Sequence, residues 1–231
     1  MFNKTIPFLT IKLVQFQCVR CSSVFNVETA LSEVNIRNTV AKLKNMTPIK
    51  MRSVEPTKKA AVLIPVCMIE GKLSLLYTLR TLQIRSHRGQ VSFPGGKQDV
   101  GESLEETALR ETKEELGIGD ENVRIWGSGN LMVARDVYIL PVVGQINIHM
   151  DDNYPGINRE EVEEVFTVPI EVLCDPRKAG FTQFKNQISL PVYFGGKRKI
   201  WGITAVITHM FLRSFLPSNF YKSPIKYVQP I

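Results

Sequence analysis

The chain has 231 residues, 44% of them hydrophobic and 22% charged, with a formal net charge of +7 and four cysteines. That length and apolar content suit one globular domain with extensions, and four cysteines in a chain this size exclude a disulfide framework and fit a reducing compartment. Three of the surplus positive charges, Lys4, Lys12 and Arg20, fall in the first 27 residues, and without a long basic tract or a zinc-ligand framework the basic balance is a weak argument for nucleic acid.

Residues 1–27 carry no Asp or Glu and mix their three cations with Phe, Leu, Ile, Val, Ser and Thr. A start that is basic, hydroxylated and free of acid resembles a mitochondrial transit peptide, which predicts a mitochondrial protein of the matrix. Lys12 interrupts the apolar residues 6–9 and 11–14, so neither a secretory core nor a membrane span is present there. Cys18 and Cys21 have CxxC spacing but no second pair, so no zinc site is expected.

Residues 28–57 read as an extension. Leu31, Val34, Ile36, Val40 and Leu43 give a helical pattern over 28–44, followed by a polar linker with Pro48 and Pro56. The main domain is expected over 58–216. Its first apolar runs, 60–69 and 73–79, flank Glu70-Gly71 and predict a hairpin with a buried strand. Residues 81–96 follow as a loop rich in Arg, His, Gly and Ser that ends in Phe93-Pro94-Gly95-Gly96. Adjacent glycines let backbone amides approach a phosphate or place a carbonyl on a metal.

That loop feeds an acidic helix. Ser103 followed three residues later by Glu106 is a capping-box pattern and Gly117 is a stop, which predicts a helix over 103–116. Spacings of three and four residues place Glu111, Glu114 and Glu115 on adjoining faces that converge on one small volume, with Leu104, Ala108 and Leu116 left for the core. Carboxylates so concentrated repel one another unless cations sit among them, and hard oxygen donors suit Mg²⁺ or Mn²⁺. A merely solvated charged helix would not need the glycines and Arg110 in register with the glutamates.

Beyond the helix, residues 123–127 and 137–148 read as strands, the second interrupted at Pro141 and Gly144. Glu160, Glu161, Glu163 and Glu164 read as a surface run before a strand at 165–170, rather than as a second metal contribution. Residues 192–194 and 200–201 about Gly195-Gly196 predict another hairpin with Lys197, Arg198 and Lys199 near its tip, and a last helix is expected over 203–215. Residues 217–231, with Pro217, Pro224 and Pro230, read as a loose tail. Strands on either side of an acidic helix, plus a terminal helix, imply an α/β domain with a mixed sheet between helices.

Gly96, Glu102, Arg110, Glu111, Glu114, Glu115 and Gly117, at their spacing, match the Nudix box, and the chain resembles the Nudix hydrolases. Thr112 stands where that family usually has an aliphatic residue. Upstream, Thr78, Arg80, Arg85, Gly89 and Phe93 to Gly96 are similar to the signature of the coenzyme A branch, with Thr81 in place of a usual Ser or Ala. Trp201-Gly202-Ile203-Thr204-Ala205 is similar as well, so the resemblance spans roughly residues 58–215.

The resemblance implies a Nudix α/β/α sandwich with a mixed β-sheet between helices, and a metal-dependent hydrolase acting on the diphosphate of coenzyme A or its acylated or oxidised forms. The products would be 4′-phosphopantetheine and adenosine 3′,5′-bisphosphate. It implies Glu111 and Glu115 as metal ligands, Glu114 in or beside the shell, and the Gly96 carbonyl nearby. Glu111, or another glutamate of the box or a later loop, would be the base, with Arg110 and Glu102 as a buried brace. Phosphates call for cations, and Arg80, Arg85, His87, Arg88 and Lys97 are the local candidates beside the Gly95 backbone. The partner is then a small molecule, with no nucleic acid and no membrane span, and the chain a monomer or homodimer. Two alternatives remain. A Nudix hydrolase of an ADP-sugar or dinucleotide shares the box without needing the upstream arginine pair, and a Nudix-fold binding module would typically have lost a metal-binding glutamate.

Overall fold

A computed structural model describes residues 26–47, 56–82, 89–134, 136–147, 156–183 and 189–221. Arg85, His87, Arg88, Cys18 and Cys21 therefore lie outside the described residues, as do nearly all of the leader and the end of the tail.

The hairpin expected from residues 60–79 forms as β1 (Lys58–Ile69) and β2 (Lys72–Arg80), paired antiparallel around Glu70 and Gly71. Both turn residues take positive φ, 49° and 72°, the twist a two-residue hairpin needs. The middles of both strands are buried without alternation, because each face of the sheet is covered. Successive side chains supply two cores. Ala61, Leu63, Cys67 and Leu76 face one, while Ile64, Val66, Leu75, Tyr77 and Leu79 face the other.

The remaining strands complete one eight-stranded sheet: β3 (Val91–Ser92), β4 (Gly95–Lys97), β5 (Val123–Ser128), β6 (Met132–Ala134), β7 (Val137–Ile146) and β8 (Val162–Pro169). Its main path runs β3-β2-β1-β7-β5, with β4 paired to β1, β6 to β7 and β8 to β2. Only β1 and β7 run parallel, so the sheet is mixed as expected. Pro141 and Gly144 do not interrupt β7, which is continuous to Ile146. Pro141 falls between the stretch paired with β6 and the stretch paired with β5, where its missing N–H breaks no ladder bond and its carbonyl accepts from Gly129 N at 2.8 Å.

Helices cover both faces. Two in the leading segment, α1 (Val27–Ala30) and α2 (Glu33–Asn45), are separated at Leu31 and Ser32, and Ser32 caps the second through Asn35 N. The acidic helix is α3 (Leu104–Leu116), with Ala108 and Leu116 fully buried in the smaller core. Thr112 is equally buried, and its hydroxyl donates to the Ala108 carbonyl at 2.6 Å, so the polar substitution leaves no unmet group. After α4 (Ile170–Leu173), which takes Ile170 out of the expected strand, comes a separate hairpin, β9 (Ala179–Gln183) with β10 (Ser189–Tyr193). The hairpin expected about Gly195 reduces to a single bridge between Tyr193 and Ile200, since β10 already pairs with β9. The last helix, α5 (Gly202–Phe215), lies almost wholly inside the larger core, on the face opposite α3.

α2 packs on α5: Leu43 is fully buried and Asn35 Nδ2 donates to the Phe215 carbonyl at 3.2 Å. Val34, expected on the apolar face, is instead 63% exposed. The start of the tail is held too. Tyr221 is buried, and its hydroxyl lies 2.7 Å from that of Tyr193 and 2.8 Å from His209 Nδ1.

The cap of α3 is reciprocal. Ser103 N donates to Glu106 Oε2 at 2.7 Å and Glu106 N donates to Ser103 Oγ at 3.2 Å. Ser103→Ala is expected to lower stability by about 1 kcal/mol in urea unfolding, and an unchanged midpoint would show that the helix start is fixed by packing alone.

Candidate active site

The acidic helix meets the glycine strand along one edge. β4 is anchored to β1 through Gly95, Gly96 and Lys97, and the Pro94 carbonyl accepts from Leu63 N at 2.9 Å. The glycine stretch expected as loop is thus a strand from residue 95 onward. Both glycines are there for space. A Cβ on Gly95, whose φ is +151°, would lie 2.3 Å from the Ala61 carbonyl, and one on Gly96 would lie 2.2 Å from Glu111 Oε1. Gly96 therefore has the Glu111 carboxylate directly against it.

Arg110 organises one half of the acids. Its Nε and Nη2 each donate to a Glu102 oxygen at 3.1 Å, Nη1 donates to Glu114 at 2.9 Å, and Glu111 accepts from both Nη1 and Nη2 at 3.2 Å. Nη2 also donates to the Lys97 carbonyl at 3.0 Å, tying helix to strand. Glu102 further accepts from Asp99 N and the Thr107 hydroxyl. Arg110 in the first place, then these donors, hold the Glu102 carboxyl down at about 2. Arg110 and Glu102 are paired but not deeply buried, their side chains being 28% and 17% exposed.

Arg80 organises the other half. At the end of β2 it donates from Nη1 to Glu115 Oε1 at 2.6 Å, and its Nη2 lies 3.9 Å from Glu161. Glu115 is fully buried, and its Oε2 has no hydrogen-bond partner among the described residues. Burial, with Glu111 and Glu161 nearby, pushes its carboxyl up to about 7 despite Arg80. Burial also raises Glu111, with Glu114 and Glu161 adding to it against Arg110.

Glu111, Glu114 and Glu115 thus share one neighbourhood but are divided between two arginines, and Glu114 is half exposed. The tight convergence expected of them is not present: no described group of three His, Cys, Asp or Glu side chains could hold a metal ion as it stands. The chemistry of the site nevertheless fits a hard cation. Its donors are carboxylates that burial and mutual repulsion keep from ionising easily, and one buried oxygen is unmet.

The upstream motif divides by role. Thr78 Oγ1 lies 3.0 Å from Ser92 Oγ and Gly89 N donates to the Arg80 carbonyl, so both tie β2 to β3 and its approach. Phe93 is buried and stacks on Tyr77 at 4.8 Å. Arg80, the described arginine of that motif, reaches the acids, while Lys97 is exposed at the β4 end. Glu161 was not singled out by the sequence, where it belongs to an acidic run read as surface. Its carbonyl accepts from Thr81 N at 2.9 Å, and Asn158 N donates to the Glu115 carbonyl, so residues 158–161 close over the end of α3. Glu164 is held apart by Lys197 and Arg198.

A mixed sheet with the acidic helix on one face, braced by Arg110 and butted against paired glycines, defines the Nudix hydrolase class, and the sequence comparison agrees. The family model described as NUDIX domain matches residues 57–188, and the chain belongs to that family. Among curated proteins, Nudix hydrolase 3 of Caenorhabditis elegans is 37% identical over 182 residues, covering 70% of this chain and 75% of that protein. Mitochondrial coenzyme A diphosphatase NUDT8 is 38% identical over 173 residues in Homo sapiens and 39% over 170 residues in Mus musculus. Those alignments cover 70% and 71% of this chain and 71% and 80% of the two relatives. No helix among the described residues is long and apolar enough to cross a membrane.

Proposed function

We propose that this Nudix hydrolase cleaves the diphosphate of coenzyme A, or of its acylated or oxidised derivatives, into 4′-phosphopantetheine and adenosine 3′,5′-bisphosphate, in the mitochondrial matrix. The observation that carries the reading is Arg80, a residue of the coenzyme A signature, seated against the box residue Glu115. Signature and box then serve one site. The names of the human and mouse relatives and the acid-free leader over residues 1–27 support substrate and compartment.

The diphosphate repels an incoming nucleophile, and water is a weak one. A divalent cation, Mg²⁺ or Mn²⁺, held by Glu111 and Glu115 with Glu114 and the Gly96 carbonyl beside them, would neutralise phosphate charge and acidify water. The chain's own residues do the rest. Arg110 and Glu102 fix the face of α3, with Arg110 reaching the β4 carbonyl of Lys97. Glu111, set against the Gly96 backbone, would take the proton from the attacking water. Arg80, with Arg85, Arg88, Lys97 and the Gly95 backbone, would hold the phosphates.

The expected result is a kcat/KM for coenzyme A above those for an ADP-sugar and a dinucleotide, and a drop of about tenfold or more on coenzyme A in Arg80→Gln and in Arg85→Gln. A higher kcat/KM on an ADP-sugar or a dinucleotide than on coenzyme A would move the assignment to another nucleoside diphosphate derivative.

A further inference from the structure

Among the described acids of the site, Glu115 is the one that is fully buried. Yet it has a single hydrogen-bond donor, Arg80 Nη1, and its second oxygen has none among the described residues. A buried carboxylate usually draws several donors, because an ionised one has about four acceptor positions to satisfy. Arg80 is placed to be temporary. Its side chain is 19% exposed, and its other arm points toward Glu161, 3.9 Å away and 40% exposed, so a path to solvent is open. Its backbone is pinned: Arg80 N donates to the Gln90 carbonyl, and the Arg80 carbonyl accepts from Gly89 N. Movement would thus be confined to the side chain. Arg110 differs, gripping Glu102 with two parallel bonds and the Lys97 carbonyl with a third, which makes it a fixed brace.

We infer that Arg80 stands in for the divalent cation at Glu115 in the metal-free protein and gives way when the cation arrives, which turns the same guanidinium toward the substrate's phosphates. This rests on the proposed metal site and adds an ordering to it. A guanidinium and a divalent cation on one carboxylate repel strongly in so dry a place, so the two compete for Glu115. Phosphate bound afterwards takes up the released positive charge, and metal and substrate become linked through one side chain. Arg80 is then a placeholder for the cation as well as a contact for the substrate.

The two roles give opposite signs. In titration calorimetry of the full-length protein with MgCl₂ alone, at alkaline pH where protons compete least with the cation for carboxylates, Arg80→Gln should bind the cation at least about tenfold more tightly than wild type. Arg80→Lys, which keeps the charge, should stay close to wild type. In the metal-loaded proteins, inorganic pyrophosphate should bind more weakly to Arg80→Gln. A third readout needs no substitution: the Arg80 Nε–H resonance of the wild-type protein should move on addition of MgCl₂. Equal or weaker Mg²⁺ affinity in Arg80→Gln, beside a wild type that binds, overturns this inference alone, as does an Arg80 resonance that ignores saturating Mg²⁺. No binding by either protein overturns the metal site and the inference together.

Discussion

Glu115→Gln is expected to lower kcat on coenzyme A by about a thousandfold while leaving the protein folded. Gln keeps the size and an acceptor oxygen for Arg80, so the 2.6 Å contact survives as a weaker bond. What disappears is the charge that a cation needs at this wall of the site. The same variant should change stability in the opposite direction. The Glu115 carboxyl rises from 4.5 to about 7 on folding, so the folded chain holds that proton more tightly than the unfolded chain. Its stabilising contribution is complete below about 4.5 and is lost as pH rises toward about 7, a loss of about 3 kcal/mol. His209 works against it in much of that window. Burial pushes the imidazole down to about 4, so stability is gained as pH rises through the ordinary histidine range. The difference between wild type and Glu115→Gln in EDTA isolates the glutamate: the variant should be the more stable near pH 7, and the gap should close toward pH 4.5. A gap that stays constant with pH would contradict it.

The paired glycines should separate fold from function. Gly95→Ala places a methyl group 2.3 Å from the Ala61 carbonyl and 2.6 Å from Val62 Cα, both backbone atoms in the middle of β1. Neither can withdraw without breaking the β1–β4 pairing, and φ of +151° adds strain, so a loss of about 3 kcal/mol or more is expected in urea unfolding. The nearest atoms that Gly96→Ala meets belong to the Glu111 carboxylate, the end of a flexible side chain. That variant should keep most of its stability and lose about a hundredfold or more in kcat, because Glu111 must leave its place against the strand. Equal unfolding midpoints for the two variants would contradict the reading.

The contrast also shows what the sequence could reveal. Local physics was legible: the capping box at Ser103 and Glu106, the left-handed stop at Gly117, the Glu70-Gly71 turn and the long apolar α5 are written in neighbouring residues. Arg110, Glu111, Glu114 and Glu115 stood out because their spacing is set by one helix. Contacts between distant segments were not legible. Arg80 and Glu115 are 35 positions apart, and nothing in their spacing says that the arginine occupies the glutamate. Glu161 was hidden in an acidic run whose other members serve different partners, Glu164 being held by Lys197 and Arg198. Pro141 looked like an interruption because the gap between β5 and β6 that accommodates it exists only in the assembled sheet. Tyr221 looked like tail because its partners, Tyr193 and His209, lie on two other elements.

The most direct measurement is mass spectrometry of the products after the full-length protein meets coenzyme A and Mg²⁺, beside the Glu115→Gln variant. The expected outcome is metal-dependent release of 4′-phosphopantetheine and adenosine 3′,5′-bisphosphate, lost with EDTA and nearly lost in the variant. Coenzyme A recovered intact from the folded, metal-supplied wild-type protein, while an ADP-sugar or dinucleotide in the same assay is cleaved, would contradict the proposed substrate.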